Sequence, residues 1–205
     1  MDPLSADRMP VLNPASVEQV GELALGGEAD VDRAVAAAAA AFDQFSLSNK
    51  AERLDLLARI RAVTERRFEE LAQAMRLEMG APITMAREAQ ADAAIGHLDG
   101  FVAALEKLEE QERFENGEVL LREPIGVCGL ITPWNWPMNQ VVLKVLPVIA
   151  TGCTCVLKPS EHTPVSAMIY AEILDEAGVP AGVFNLVNGV GPVVGGALSR
   201  HPDVQ

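Results

Sequence analysis

Ile125-Gly126-Val127-Cys128-Gly129-Leu130-Ile131-Thr132-Pro133-Trp134-Asn135-Trp136-Pro137 is an uncharged run that halts at Thr-Pro, shows a side-chain amide between two tryptophans and restarts at a proline. It reads as a buried strand delivering a polar loop into a helix, which the apolar run from Val141 to Ala150 continues. Loops at the carboxyl ends of parallel strands are where α/β proteins place their sites. Asn135 is therefore either a site residue or a turn former, a role to which asparagine is equally suited.

Downstream, the pattern repeats. A helix over about residues 137 to 151, closed by Gly152 and kinked at Pro147, leads to the strand Thr154-Cys155-Val156-Leu157-Lys158. The loop Pro159-Ser160-Glu161-His162 follows, and then a helix with Thr163 as cap and Pro164 in its first position, stopping at Gly178. A third strand, Val183-Phe184-Asn185-Leu186-Val187, runs into Asn188-Gly189-Val190-Gly191-Pro192 and a short helix through Leu198. Strands alternating with helices at this spacing predict a parallel sheet with right-handed crossovers.

Upstream, residues 1–28 read as a turn-rich arm with short strands around Met9 to Leu12 and Val20 to Leu25. Residues 29–115 read as a helical scaffold. An alanine-rich helix spans Ala29 to Phe45, and Asn49-Lys50-Ala51-Glu52 is a capping box opening one long helix that ends at Gly80. A third helix runs from about Thr84 to Leu108, with Glu106, Glu109, Glu110 and Glu112 as a solvated face. Residues 116–125, opened by the Asn116-Gly117 turn, read as a bridging strand suited to an edge and to oligomerisation, and 126–205 hold the three strand-helix units.

Composition limits the partners. A formal charge of −13 with no basic patch argues against nucleic acid, whose binding is driven by Lys and Arg displacing counterions. The N-terminus has no basic-then-apolar signal, and the longest apolar run is interrupted by Lys144 and Pro147, so no membrane partner and a cytoplasmic location are expected. Cys128, Cys153 and Cys155 sit in apolar strands as reduced core thiols, and no ligand cluster completes a metal site.

The loops after the three strands should share one edge of the sheet. Asn135 offers two neutral N–H donors of the kind a developing oxyanion needs. Glu161 can accept both hydroxyls of a ribose, with the Lys158 ammonium on the other side, although the two would equally make an ordinary surface ion pair. Gly189-Val190-Gly191-Pro192-Val193-Val194-Gly195 is like a dinucleotide fingerprint with one residue too many, and it follows the acidic residue where the usual order is the reverse. Residue chemistry alone thus reaches a nucleotide-binding α/β protein.

Residues 123–137, Lys158-Pro159-Ser160-Glu161, Gly178-Val179-Pro180-Ala181-Gly182-Val183-Phe184-Asn185 and His201-Pro202-Asp203-Val204 resemble the NAD-dependent aldehyde dehydrogenase superfamily in motif order and spacing. Asn13-Pro14-Ala15 and Glu78-Met79-Gly80-Ala81-Pro82 extend the resemblance over nearly the whole chain. It implies an α/β fold in which a helical scaffold leads into the first part of a parallel Rossmann-like sheet, the aldehyde dehydrogenase fold left incomplete.

By this resemblance Asn135 is the oxyanion-hole donor. Lys144 is a proton relay or a snorkelling lysine. Ile131, Thr132, Pro133 and Trp134 contact the cofactor, Lys158, Ser160 and Glu161 serve the adenosine ribose, and Gly191 and Gly195 admit the adenine and pyrophosphate of NAD. Trp136, Gln140 and Leu143 line a substrate passage.

The resemblance further implies that the parent oxidises an aldehyde to a carboxylic acid through a cysteine thiohemiacetal and thioester, as a homodimer or homotetramer. By the same resemblance the nucleophile and general base would lie beyond Gln205; Cys128, Cys153 and Cys155 are read at strand positions and not in the nucleophile's loop, and the isolated chain is expected to be inactive. A sheet ending here would expose its last edge and favour association. The rivals are a CoA-acylating or phosphorylating relative and a non-catalytic nucleotide-binding or assembly fragment.

Overall fold

In the computed structural model, residues 3–205 are described. The arm forms an antiparallel hairpin of β1 (Arg8–Leu12) and β2 (Gln19–Ala24). Asn13 closes its turn: its backbone N–H donates to Glu18 O at 2.9 Å and its side chain accepts the Ala15 N–H at 2.9 Å.

Helix α1 (Glu28–Phe45) starts where the Asp30 carboxylate reaches back to the Gly27 N–H at 3.0 Å. Helix α2 (Lys50–Arg66) has both bonds of the expected capping box, Glu52 N to Asn49 Oδ1 at 3.0 Å and Asn49 N to Glu52 Oε2 at 2.8 Å. The single helix expected through to Gly80 breaks at Arg67 (φ −98°, ψ 14°), and α3 (Phe68–Met79) follows until the left-handed Gly80 (φ 69°) ends it. Arg67 bridges Glu70 and Glu172, so the break is held from outside the helix. Arginine is a good helix former, so local propensity carried no sign of it.

The third helix is also interrupted. Helix α4 (Ile83–Met85) passes through a π-helical turn (Ala86–Ala91) into α5 (Asp92–Lys107), with Gln90 turned inward and donating to Met79 Sδ at 3.1 Å. The acidic stretch after it is not simply a solvated face: Glu110 pairs with the buried Arg53, and Glu112 with Arg122. The expected bridging strand is half of a hairpin, β3 (Gln111–Arg113) with β4 (Val119–Leu121), turning at Gly117 (φ 90°).

The parallel sheet contains β5 (Val127–Ile131), β6 (Thr154–Lys158) and β7 (Phe184–Leu186) in the order β5-β6-β7. Helices α6 (Pro137–Ala150) and α7 (Val165–Glu176) connect them. Cys155 and Leu157 of β6 point into a large core with Leu57, Ile60, Leu71, Met75, Leu98, Leu146 and Tyr170, while Val156 points the other way, toward Val31, Val35, Val194 and Leu198. Helix α1 thus covers one face of the sheet and α2 to α7 the other, which explains why β6 is apolar on both sides.

After β7 the chain enters a π-helical turn (Gly191–Gly195) and α8 (Gly196–Arg200), both on the α1 face, and Val204 then pairs in parallel with Val127. Gln205 N donates to Val127 O at 2.9 Å. The chain has wound outward through β6 and β7 and returned to the far side of β5, so the carboxyl end of β5 is a topological switch point.

Candidate functional site

Where strand order reverses, the loops after neighbouring strands part and leave a crevice. The register Ile131↔Lys158 aligns the ends of β5 and β6, and Thr132 N donates to Lys158 O at 3.2 Å. The chain then leaves the sheet through Pro133 and the half-exposed Trp134. At the end of β6, Lys158 is only 3% exposed and its ammonium meets Glu161 Oε2 at 2.6 Å. Glu161 Oε1 accepts the Gly191 N–H at 3.4 Å, tying the second loop to the third. Burial pushes the Glu161 carboxyl upward, but Lys158 and the backbone donors, Gly191 included, outweigh it and hold it below the usual range. Glu161 is thus a partly exposed carboxylate with lone pairs to spare for a further donor.

The glycine segment is open. Gly191 has no positive φ, and a Cβ there would meet nothing within 4 Å, so the fold does not require glycine at this position. A Cβ on Gly195 would stand 3.7 Å from Ile131 Cδ1, which brings the turn over the end of β5. Ser160 is buried and its Oγ accepts the His162 N–H at 3.2 Å, shaping the loop from inside. Ile131, Thr132, Lys158, Glu161, Gly191 and Gly195 therefore form one connected set, and Trp134 shares a cavity with Glu161.

Asn135 and Lys144 stand apart from that set. Asn135 lies exposed in the bend before α6, its amide without a hydrogen bond among the described residues. Lys144 is half-buried, seven residues into α6 from Pro137, about 10 Å of helix rise. Trp136, Gln140 and Leu143, at helical spacing, make a partly exposed stripe on α6.

Glu78, to which the sequence reading gave no role, borders the same cavity as Trp134 and Glu161. It is 3% exposed, and its carboxylate accepts the N–H groups of Val165 (2.5 Å) and Ser166 (3.1 Å) and the Ser166 hydroxyl. Burial pushes its pKa up to about 7, against the pull of those bonds. The expected cap of α7, Thr163, does not serve: its hydroxyl is buried without a partner, and Pro164 occupies the cap position outside the helix. An acidic residue in the last turn of α3 opposes the helix dipole, which marks Glu78 as unusual in the sequence but does not say which groups it meets. A cavity of about 610 Å³ joins Glu78, Trp134, Glu161 and His162 to Pro10, Leu12 and Val17 of the N-terminal hairpin.

Cys128 on β5 and Cys155 on β6 are strand residues, as expected, whereas Cys153 lies just before β6. Contact with Cys153 and burial push the Cys128 thiol up, and burial pushes Cys155 up, so both are protonated. Cys153 is 4% exposed, and contact with Cys128, helped by the Thr151 hydroxyl that donates to it at 3.6 Å, outweighs burial and lowers its pKa.

Residues 2–205 match the aldehyde dehydrogenase family model. The chain belongs to the aldehyde dehydrogenase family. A 3-succinoylsemialdehyde-pyridine dehydrogenase of a Pseudomonas species is 49% identical over 98% of this chain and 42% of its own length. The chain thus spans about two-fifths of the curated relatives it matches. Among solved structures, an aldehyde dehydrogenase of Bartonella henselae superposes with a TM-score of 0.97 at 46% identity, over 99% of this chain and 43% of that one. Aldehyde dehydrogenase C of Pseudomonas syringae, solved as a mutant with NAD+ and octanal, superposes at 0.96 with 51% identity, over 98% and 41%. The α/β architecture is that of the N-terminal part of the aldehyde dehydrogenase fold. Among the described residues, no helix of this family member is long and apolar enough to cross a membrane.

Proposed function

We propose that this chain supplies the adenosine-binding part of an NAD-dependent aldehyde dehydrogenase, an oxidoreductase converting an aldehyde to a carboxylic acid. The observation that carries it is the contact between Lys158, Glu161 and Gly191 at the sheet's switch point. Glu161 accepts the hydroxyls of the adenosine ribose and Lys158 donates from the other side. Ser160 holds the loop, and Ile131, Thr132, Pro133 and Trp134 line the approach. Gly191 and Gly195 leave the final turn bare for adenine and pyrophosphate, whose charge the backbone N–H groups meet.

NAD, when bound, supplies the hydride acceptor. Asn135 contributes its unpartnered amide to the oxyanion in the parent enzyme, Trp136, Gln140 and Leu143 flank the aldehyde, and Lys144 relays a proton or snorkels. Cys128 and Cys155 are protonated and make poor nucleophiles, and Cys153, although its contact with Cys128 lowers its pKa, is buried just before the amino end of β6, away from the loops at the carboxyl ends of the strands, so none of the three cysteines attacks the aldehyde. This chain alone is expected to produce no NADH from any aldehyde. The reading extends to a cytoplasmic homodimer or homotetramer and to the division into arm (1–28), helical scaffold (29–115), bridging strand (116–125) and cofactor units (126–205).

Calorimetry with NAD and NADP tests it. The carboxylate of Glu161 repels a 2′-phosphate, so NAD should bind at least about tenfold more tightly, and Glu161→Gln should weaken NAD by about 10- to 100-fold, the range for a hydrogen bond to a charged group. Equal NAD affinity in both proteins would remove Glu161 from the site.

A further inference from the structure

We propose that Glu78 is a positioning residue for the ribose-binding loop, holding Glu161 in its diol-accepting geometry from the end of a helix 83 residues earlier in the chain. The inference rests on the NAD reading above. The first N–H groups of α7 need acceptors, and Pro164 at its cap has no side-chain acceptor. The Glu78 carboxylate takes the N–H groups of Val165 and Ser166 and the Ser166 hydroxyl. The loop from Pro159 to Thr163 is therefore fixed at one end by β6 and at the other by Glu78, with Thr163 N to Ser160 O (3.2 Å) and His162 N to Ser160 Oγ (3.2 Å) as its internal ties. Glu161 stands in the middle of this short span, and Glu78 and Glu161 border the same cavity. A carboxylate accepts these donors with two oxygens, whereas an amide keeps only one acceptor and turns an N–H toward the helix end.

The test is the ratio of the affinities for NAD and for an NAD analogue lacking the adenosine 2′-hydroxyl, measured calorimetrically at pH 8 on the full chain, its Glu78→Gln variant and its Glu161→Gln variant. The wild type should favour NAD by about tenfold or more, the selectivity of a hydrogen bond to a charged group. In Glu78→Gln that ratio should fall to within about threefold, matching the fall in Glu161→Gln. A structural role alone would weaken both ligands equally, so an unchanged ratio in Glu78→Gln overturns the positioning role and leaves the NAD site standing. Absence of NAD binding by the wild type overturns the site and the positioning role together. Should Glu78→Gln fail to fold, Ser166→Ala decides, since it removes only the hydroxyl donor. Its ratio should fall at least about twofold, and an unchanged ratio overturns the proposal.

Discussion

Glu78 gives the chain a pH dependence opposite to that of most carboxylates. Burial raises its folded pKa to about 7, above the 4.5 of an unperturbed glutamate, so the folded state retains a proton that the unfolded chain has already lost. Its contribution to stability is full below about pH 4.5 and is lost as pH rises to 7, amounting to about 3 kcal/mol at roughly 1.4 kcal/mol per unit. Urea unfolding of wild type and Glu78→Gln at pH 5 and pH 7.5 should show the wild type losing more stability than the variant over that interval. Parallel losses would contradict the buried-carboxyl account. Glu161 has the ordinary sign: its folded pKa is lowered, so its contribution is present above the unfolded value and is lost as pH falls through the folded one. The Lys158–Glu161 pair was legible because its members are three residues apart at a strand end. Glu78 was not, because its partners lie 87 and 88 residues away and no local pattern encodes that distance.

At the scale of elements, packing against the turn before β7 decides how closely α1 can approach the sheet. Gly182 has φ +84°, and a Cβ there would stand 2.6 Å from Ala37 O and 2.9 Å from Ala41 Cβ. Gly182→Ala should therefore cost about 3 kcal/mol, through backbone strain and displacement of α1, and lower the melting temperature by roughly 6–12 °C. Gly96 and Gly100 lie exposed inside α5 with nothing within 4 Å of a Cβ, and alanine at each should stabilise by about 0.5–1 kcal/mol in the same calorimetric scan. A neutral result at Gly182 would place the α1 contact elsewhere. Alternation, capping residues and glycine stops made the sheet strands and most helices readable, as the Asn49–Glu52 box does for α2. The break at Arg67, the π-helical turn at Ala86–Ala91 and strand β3 were not readable. The break is held by contacts with a distant helix, the inserted turn leaves the helical composition unchanged, and Gln111–Arg113 has polar residues throughout and becomes a strand only by pairing with β4.

For the whole molecule, the hairpin of β3 and β4 has no side chain buried, and Phe114, Leu121 and Ile125 near it are 45%, 57% and 65% exposed. A two-stranded ribbon with its apolar residues in water is marginal alone, so association through this surface is expected. Sedimentation velocity should show a self-associating chain, with Leu121→Asp and Ile125→Asp together shifting it toward monomer, and unchanged sedimentation would assign the association to another surface. The parallel order of the three sheet strands was legible from their alternation with helices, but the return of Val204 to the far side of β5 was not, since two residues of a new strand carry no periodicity. That return turns three adjacent loops into a crevice. The most direct measurement is a crystal structure of the chain with NAD. The ribose hydroxyls should lie within hydrogen-bond distance of Lys158 Nζ and the Glu161 carboxylate, with the pyrophosphate against the Gly191–Gly195 turn. NAD lodged elsewhere, for instance in the cavity beside Gln44 and Arg53, would contradict the account.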